Sequence, residues 1–173
     1  MPNTETNIEK LYDQYSGPLF FTSLRITGNS CDAEEIMHDT LLKYYHYPRK
    51  DEIQELKKWL TSICIRKSID VLRLKNKNSS FLESYADENE NGSYAETEER
   101  KALERHREEK TKIAKIKEAL GLLPDKYRLI LSLHLFEGYD YNEIEQITGI
   151  KENYIRGLYM RGKMKLTEIF NRI

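Results

Sequence analysis

The feature that most limits what this chain can fold into is a short helix signal, a glycine stop and a basic helix signal in direct succession near its C-terminal end. Asp140 can accept a hydrogen bond from the free N–H groups of a new helix, and Glu143 completes a capping box three residues on. Ile144 and Ile147 then share a face, with Tyr141 nearby. Gly149, in Thr148-Gly149-Ile150, stands where the helix must stop and the chain must turn, a place that favours positive φ. Ile150 can plug the corner. Ile155, Leu158, Tyr159 and Leu166 form an inward stripe on the last helix. Arg156, Arg161, Lys163 and Lys165 face outward, with only Glu152 and Glu168 as acids. The spacing predicts three helices over residues 123–170, ending in a helix-turn-helix whose second helix can lie in a DNA major groove. An ordinary helical hairpin with a solvated basic face satisfies the same pattern.

The charge balance bears on that choice only when mapped. The 173 residues sum to a net charge of −1. Residues 1–55 carry a net −5, 56–77 a net +6, 78–99 a net −7 and 100–173 a net +5. Two basic segments are thus parted by an acidic one, and DNA affinity follows local phosphate neutralisation rather than total charge. The acidic stretch NKNSSFLESYADENENGSYAET, residues 76–97, has linker composition. It divides the chain into a helical part at 5–76, a linker at 77–97 and a second helical part at 98–173. With 39% hydrophobic and 33% charged residues, two small bundles are expected rather than one deep core. Cys31 and Cys64 are too few for a disulfide framework, and no zinc spacing is present. No apolar run reads as a signal peptide or membrane span, so a cytoplasmic location is expected.

The N-terminal part is punctuated as four helices. Ile8, Leu11, Tyr12 and Tyr15 share a face of the first, which should end near Ser16-Gly17-Pro18. A second runs over 19–27 to Gly28. Asp32 should start a third, with Ile36, Met37, Thr40, Leu41 and Tyr44 inward and Pro48 beyond its end. Ile53 should begin the fourth, with Leu56, Leu60, Ile63, Cys64, Ile69 and Leu72 buried. Its outer face is basic: Lys57, Lys58, Arg66, Lys67, Arg73 and Lys75. Tyr44, Tyr45, His46, Tyr47 and Trp59 lie beside it. Aromatics next to cations suit unpaired bases, which stack on rings while cations hold the backbone. Trp59 and Tyr44 also fit a core.

DAEEIMHDTLLKYY (32–45) with WLTSICIRKSIDVLR (59–73) resembles region two of bacterial RNA polymerase sigma factors. LPDKYRLILSLHLFEGYDYNEIEQITGIKENYIRGLYMRGKMKL (123–166) resembles their region four. The order, the spacing and the short acidic linker resemble the extracytoplasmic-function group of the sigma-70 family. The resemblance implies an all-α protein with a region-two four-helix bundle and a region-four helix-turn-helix. It implies a non-catalytic subunit, without cofactor or metal, that binds core RNA polymerase and promoter DNA. An anti-sigma factor is a further candidate partner. By resemblance, His38, Asp39, Thr40, Leu42 and Lys43 should dock on the polymerase. The loop at 46–54 should hold a base flipped from the opened strand, and Arg66, Lys67, Arg73 and Lys75 should line that strand's path. Lys151, Asn153, Tyr154, Arg156, Arg161 and Lys163 should contact the upstream element.

Two departures stand out. Arg66 replaces an asparagine common in relatives and cannot accept hydrogen bonds. Gly157 and Leu158 replace a small polar residue and an arginine, which shifts the upstream load to Arg156 and Arg161. The acidic linker reads equally as a mimic of nucleic acid or as a plain tether. A helix-turn-helix repressor or activator, dimerising through its N-terminal bundle, is the alternative from another class. An enzyme is disfavoured: His38, His46, His106 and His134 sit in no catalytic motif.

Overall fold

A computed structural model of the protein describes residues 4–75 and 106–173. The linker expected at 77–97 lies outside the described residues, and Ile8 and His106 lie among those whose side chains are not described. The described helices are α1 (Thr4–Thr27), α2 (Ser30–Tyr45), α3 (Leu56–Lys75), α4 (His106–Gly121), α5 (Asp125–Leu131), α6 (Tyr141–Thr148) and α7 (Glu152–Arg172). A 3-10 turn at Lys50–Glu52 precedes α3, and a π-helical turn at Ser132–Phe136 extends α5. Among the described residues there is no strand, in keeping with the all-α expectation.

The break expected at Gly17-Pro18 does not occur: α1 is continuous with Pro18 inside it. A proline there removes one N–H donor and crowds the carbonyl of Gln14. The apolar row Leu11, Tyr15 and Leu19 crosses that point into a single core, and its burial outweighs the lost bond. The N-terminal part therefore has three α-helices and a 3-10 turn, not four helices. Asn29, rather than Asp32, caps α2, its Oδ1 accepting the Asp32 N–H at 3.0 Å. α3 starts at Leu56, because Ile53 closes the 3-10 turn by donating its N–H to Lys50 O at 3.1 Å.

One core belongs to the N-terminal part alone: Leu19, Ile36, Met37, Leu41, Leu60 and Cys64, flanked by Tyr44, Leu56 and Trp59. The Cys64 thiol donates to Leu19 O at 3.4 Å, and burial pushes its pKa up to about 12. Ser68, also buried, donates to Cys64 O at 2.8 Å and so carries no unmet polar group.

A second core joins the two parts, where separate bundles were expected. Ile26, Ile65, Ile69 and Leu72 from α1 and α3 pack with Leu129, Ile130, Leu133, Ile144, Ile150, Ile155 and Leu158. Arg128, 5% exposed, reaches across from α5 to the end of α1. It donates to Ile26 O at 3.2 Å and Thr27 O at 3.0 Å, and within its own part to Leu123 O at 2.7 Å. These bonds satisfy carbonyls that the last turn of a helix leaves without partners. Gly28, with φ +67°, gives the guanidinium room, since a Cβ there would stand 2.7 Å from Arg128 Cζ. Beside it, Glu137 accepts from Thr22 Oγ1 at 3.0 Å and Arg25 Nη2 at 2.7 Å.

The helix-turn-helix forms as its residues dictate. Asp140 Oδ1 accepts the Glu143 N–H, and Glu143 Oε2 accepts the Asp140 N–H, both at 2.8 Å. Gly149 takes φ +75°, and Ile150 fills the corner at 5% exposure. Leu120, Leu123 and Leu131, with Leu166 and Ile169 packed against them, tie α4 and α7 to α5.

Candidate nucleic-acid interface

α7 is aimed from behind. Glu145 of α6 accepts the Glu152 N–H at 2.9 Å and fixes how α7 leaves the turn. The His134 ring stacks on Tyr141 with centroids 4.7 Å apart and meets Tyr159 edge-on at 4.9 Å. Its Nδ1 donates to Tyr139 O at 2.7 Å. This aromatic brace depends on the π-helical turn, which carries His134. Arg156 lies over the Tyr141 ring, 4.7 Å from its centroid, and is paired with Glu152. Arg161 donates to Gly157 O at 3.2 Å, and Lys163 sits over Tyr159. Lys151 and Asn153 are exposed at the start of the helix. Tyr154, expected to face DNA, is instead half-buried against the shared core. Leu158, where the family resemblance led to an expectation of arginine, is 1% exposed: here the position belongs to the core.

The basic helix α3 presents a different picture. Arg66 is exposed. Lys67 pairs with Asp39 at 2.7 Å, Lys75 pairs with Asp32, and Arg73 donates to Thr148 O of the helix-turn-helix at 3.0 Å. The C-terminal part also reaches toward this face through Tyr139. Burial, then the charge of Glu137, raises the Tyr139 pKa, while Arg66 and Lys58 pull it the other way.

Tyr139 also lines a cavity of about 540 Å³ with Tyr47, Ile53, Glu55, Lys58, Trp59 and Ser62. Trp59 meets the Tyr47 ring at 5.0 Å and the Tyr44 ring at 5.9 Å. It is half-buried, so it serves both the core and the cavity wall. Tyr45 and His46 point outward instead, edge to face at 5.1 Å. Sequence reasoning missed Lys58 and Tyr139 as wall residues. Lys58 was visible as a cation one residue from Trp59, whereas Tyr139 enters only through the packing of the two parts.

On the opposite side of α2, Leu11, Tyr12, His38, Leu41, Leu42 and Tyr45 line an apolar groove of about 340 Å³. Tyr12 stacks on His38 at 5.9 Å. His38, Asp39, Leu42 and Lys43 are exposed, as a docking face requires. Thr40 does not belong with them. It is 0% exposed and its hydroxyl donates to Ile36 O at 2.7 Å, so it is a core residue.

A helix-turn-helix module and a second basic, aromatic-walled module sharing one core define a two-part helical DNA-binding protein. Family models describe its parts: "Sigma-70 region 2" matches residues 11–78 and "Sigma-70, region 4" matches residues 113–166. The chain belongs to the sigma-70 family. It is similar to the ECF RNA polymerase sigma factor SigM of Bacillus subtilis, 24% identical over 95% of this chain and 96% of that protein. It is likewise similar to RNA polymerase sigma factor SigZ of the same organism, 27% identical over 94% of this chain and 86% of that one. A solved structure of sigma factor RpoE in complex with the anti-sigma factor NepR, from Bartonella quintana, shares the fold. Its TM-score is 0.56 at 18% identity, covering 95% of this chain and 97% of that one. Within the family the chain falls in the extracytoplasmic-function group, and it is a sigma factor that directs promoter-specific transcription initiation. Among the described residues, no helix is long and apolar enough to cross a membrane.

Proposed function

We propose that the two parts divide promoter recognition as follows, with boundaries at 5–76, 77–97 and 98–173. α7 enters the major groove of the upstream element with Lys151, Asn153, Arg156, Arg161 and Lys163. The cavity walled by Tyr47 and Trp59 holds a base extruded from the opened downstream strand, while Arg66, Lys67, Arg73 and Lys75 track its phosphates. Extrusion costs a few kcal/mol, and stacking on an aromatic wall returns about 1–3 kcal/mol per base. The groove beside His38, Asp39, Leu42 and Lys43 docks on core polymerase; an apolar groove with a polar rim of Asp39 and Lys43 suits a separable contact. The chain acts in the cytoplasm as a non-catalytic subunit and, like the relative solved with NepR, takes an anti-sigma factor as a further partner.

The observation that carries this reading is the cavity itself: the Tyr47 and Trp59 rings stand together at the start of the basic helix α3, with Lys58, held by Glu55 at 2.8 Å, in the same wall. It also implies that the closed packing must open. Tyr139 stands in the wall of the base cavity, and Thr148 O holds a strand-path cation. Core polymerase, by taking the α2 groove and the C-terminal part separately, supplies the energy to part them.

Reconstituted holoenzyme should yield promoter-specific transcripts from fragments of the source genome, and Trp59→Ala should still form holoenzyme but fail to open the promoter. Absence of any specific transcript, with tight dimeric binding of palindromic DNA by the free chain, would establish the repressor reading instead.

A further inference from the structure

α7 buries Ile155, Leu158 and Gly162. The direction opposite that stripe is occupied by Asn153, Gly157, Met160 and Met164, at helical spacings of four, three and four. The centre of the outward ridge is therefore not cationic. It is an asparagine, a residue without a side chain and two thioethers, with Met160 60% and Met164 71% exposed. The cations stand to either side. Arg156 and Lys163 flank one edge, drawn over the Tyr141 and Tyr159 rings. Arg161 flanks the other, folded back on Gly157 O.

On a helix lying in the major groove, the flanks face the two sugar-phosphate walls and the central ridge faces the base edges. Phosphates match the flanking cations. The ridge needs a partner that an apolar, unbranched side chain can meet, and among base edges in that groove only thymine offers one, its C5-methyl group. Met160 lies about 12 Å along the helix from Glu152, within the reach of a groove about 12 Å wide. Met164 lies a further turn on, toward the groove's edge. The flexible, polarizable thioether suits a methyl contact.

We propose that Met160 is a specificity-determining residue of the upstream contact and that it reads the C5-methyl group of a thymine. This rests on the reading of α7 as the upstream-element helix and adds to it the chemistry that the helix selects.

Deoxyuridine differs from thymidine only by that methyl group, and so isolates the contact. Holoenzyme would be titrated against the upstream element of a promoter it uses, with each thymine replaced by deoxyuridine in turn. Wild-type binding should weaken about four-fold at one thymine, one methyl group's worth of burial. Met160→Ala should bind the thymine element more weakly and lose the thymine–deoxyuridine difference, while Met164→Ala keeps it. Indifference of the wild type to deoxyuridine at every position overturns the proposal. So does a Met160→Ala variant that keeps the full deoxyuridine penalty, or one that loses core polymerase while still discriminating, which would make the ridge a protein contact. The Arg156→Ala/Arg161→Ala variant separates the levels. If it leaves upstream binding intact, the assignment of α7 itself fails; if it abolishes binding while deoxyuridine has no effect, only the Met160 assignment falls.

Discussion

The cations of α3 and those of α7 are held in opposite ways. On α7, Arg156 pairs with Glu152 one turn away, and Arg161 donates to a carbonyl one turn away. On α3, Lys67 is held by α2 through Asp39, Lys75 by Asp32, and Arg73 by the helix-turn-helix itself. Local pairs on an exposed helix are worth only about 0.3–0.5 kcal/mol and yield readily to phosphate. The Arg73 bond cannot be given up singly, because it is part of a boundary that also contains Arg128, Glu137 and an apolar core. On the proposed assignment, α7 faces outward as the chain stands, while of the four strand-path cations of α3 it is Arg73 that waits on separation of the two parts.

The largest effect expected from this comparison is on the α7 side. Arg156→Ala with Arg161→Ala removes two contacts at roughly 1–3 kcal/mol each, so the holoenzyme should lose about a hundred-fold in affinity for the upstream duplex. Association with core polymerase should be unchanged, as both residues lie outside the α2 groove. A mobility-shift titration beside a core-binding assay reads both. Loss of core binding would show that α7 serves the polymerase rather than DNA.

A smaller effect should appear on the α3 side. Glu137→Ala removes the acceptor for Thr22 and Arg25, both on α1. A hydrogen bond to a charged group is worth about 1.5–3 kcal/mol, so the closed form should weakly lose its advantage and the free chain's affinity for single-stranded downstream DNA should rise roughly ten-fold. Affinity for the upstream duplex should not change. Equal gains for both DNAs would mean that the packing does not restrain α3 in particular, and the contrast between the helices would fall.

The same contrast separates what could be read in the sequence from what could not. The α6–α7 turn was legible because its determinants are local: Asp140 and Glu143 cap each other, and Gly149 takes the positive φ that its position demands. The inward stripe of α3 was legible through its period, though Ile65 escaped: it lies in the core shared with the C-terminal part, which buries more of α3 than a single apolar stripe. Thr40 was assigned to a docking face because its side chain is polar. Its hydroxyl is satisfied by Ile36 O, which lets it lie in the core. Pro18 was taken as a stop because its local cost is known, whereas the burial that offsets it is tertiary. Arg128 gave no signal at all: it sits in an ordinary helix pattern, and its role depends on carbonyls about a hundred residues away.

The smallest expected effect concerns pH and distinguishes the private core from the shared one. Burial raises the Cys64 thiol from 9.0 to about 12, and it raises Tyr139 above its ordinary 10.0. In both cases the folded chain keeps its proton at a pH where the unfolded chain has released it. Stability from each is therefore full below the unfolded value and is lost as pH rises through the interval between the two states. For Cys64 that interval is pH 9.0 to about 12; for Tyr139 it begins at 10.0. The urea midpoint should fall progressively above pH 9, and Cys64→Ala should remove the earlier part of that slope at the cost of a small cavity. Tyr139→Phe should remove part of the later slope, and adding Glu137→Ala should shrink the difference that Tyr139→Phe makes, because it removes the Glu137 charge and loosens the packing that buries the ring. A Tyr139 contribution left whole by Glu137→Ala would show that neither the Glu137 charge nor the packing it anchors holds the Tyr139 pKa up.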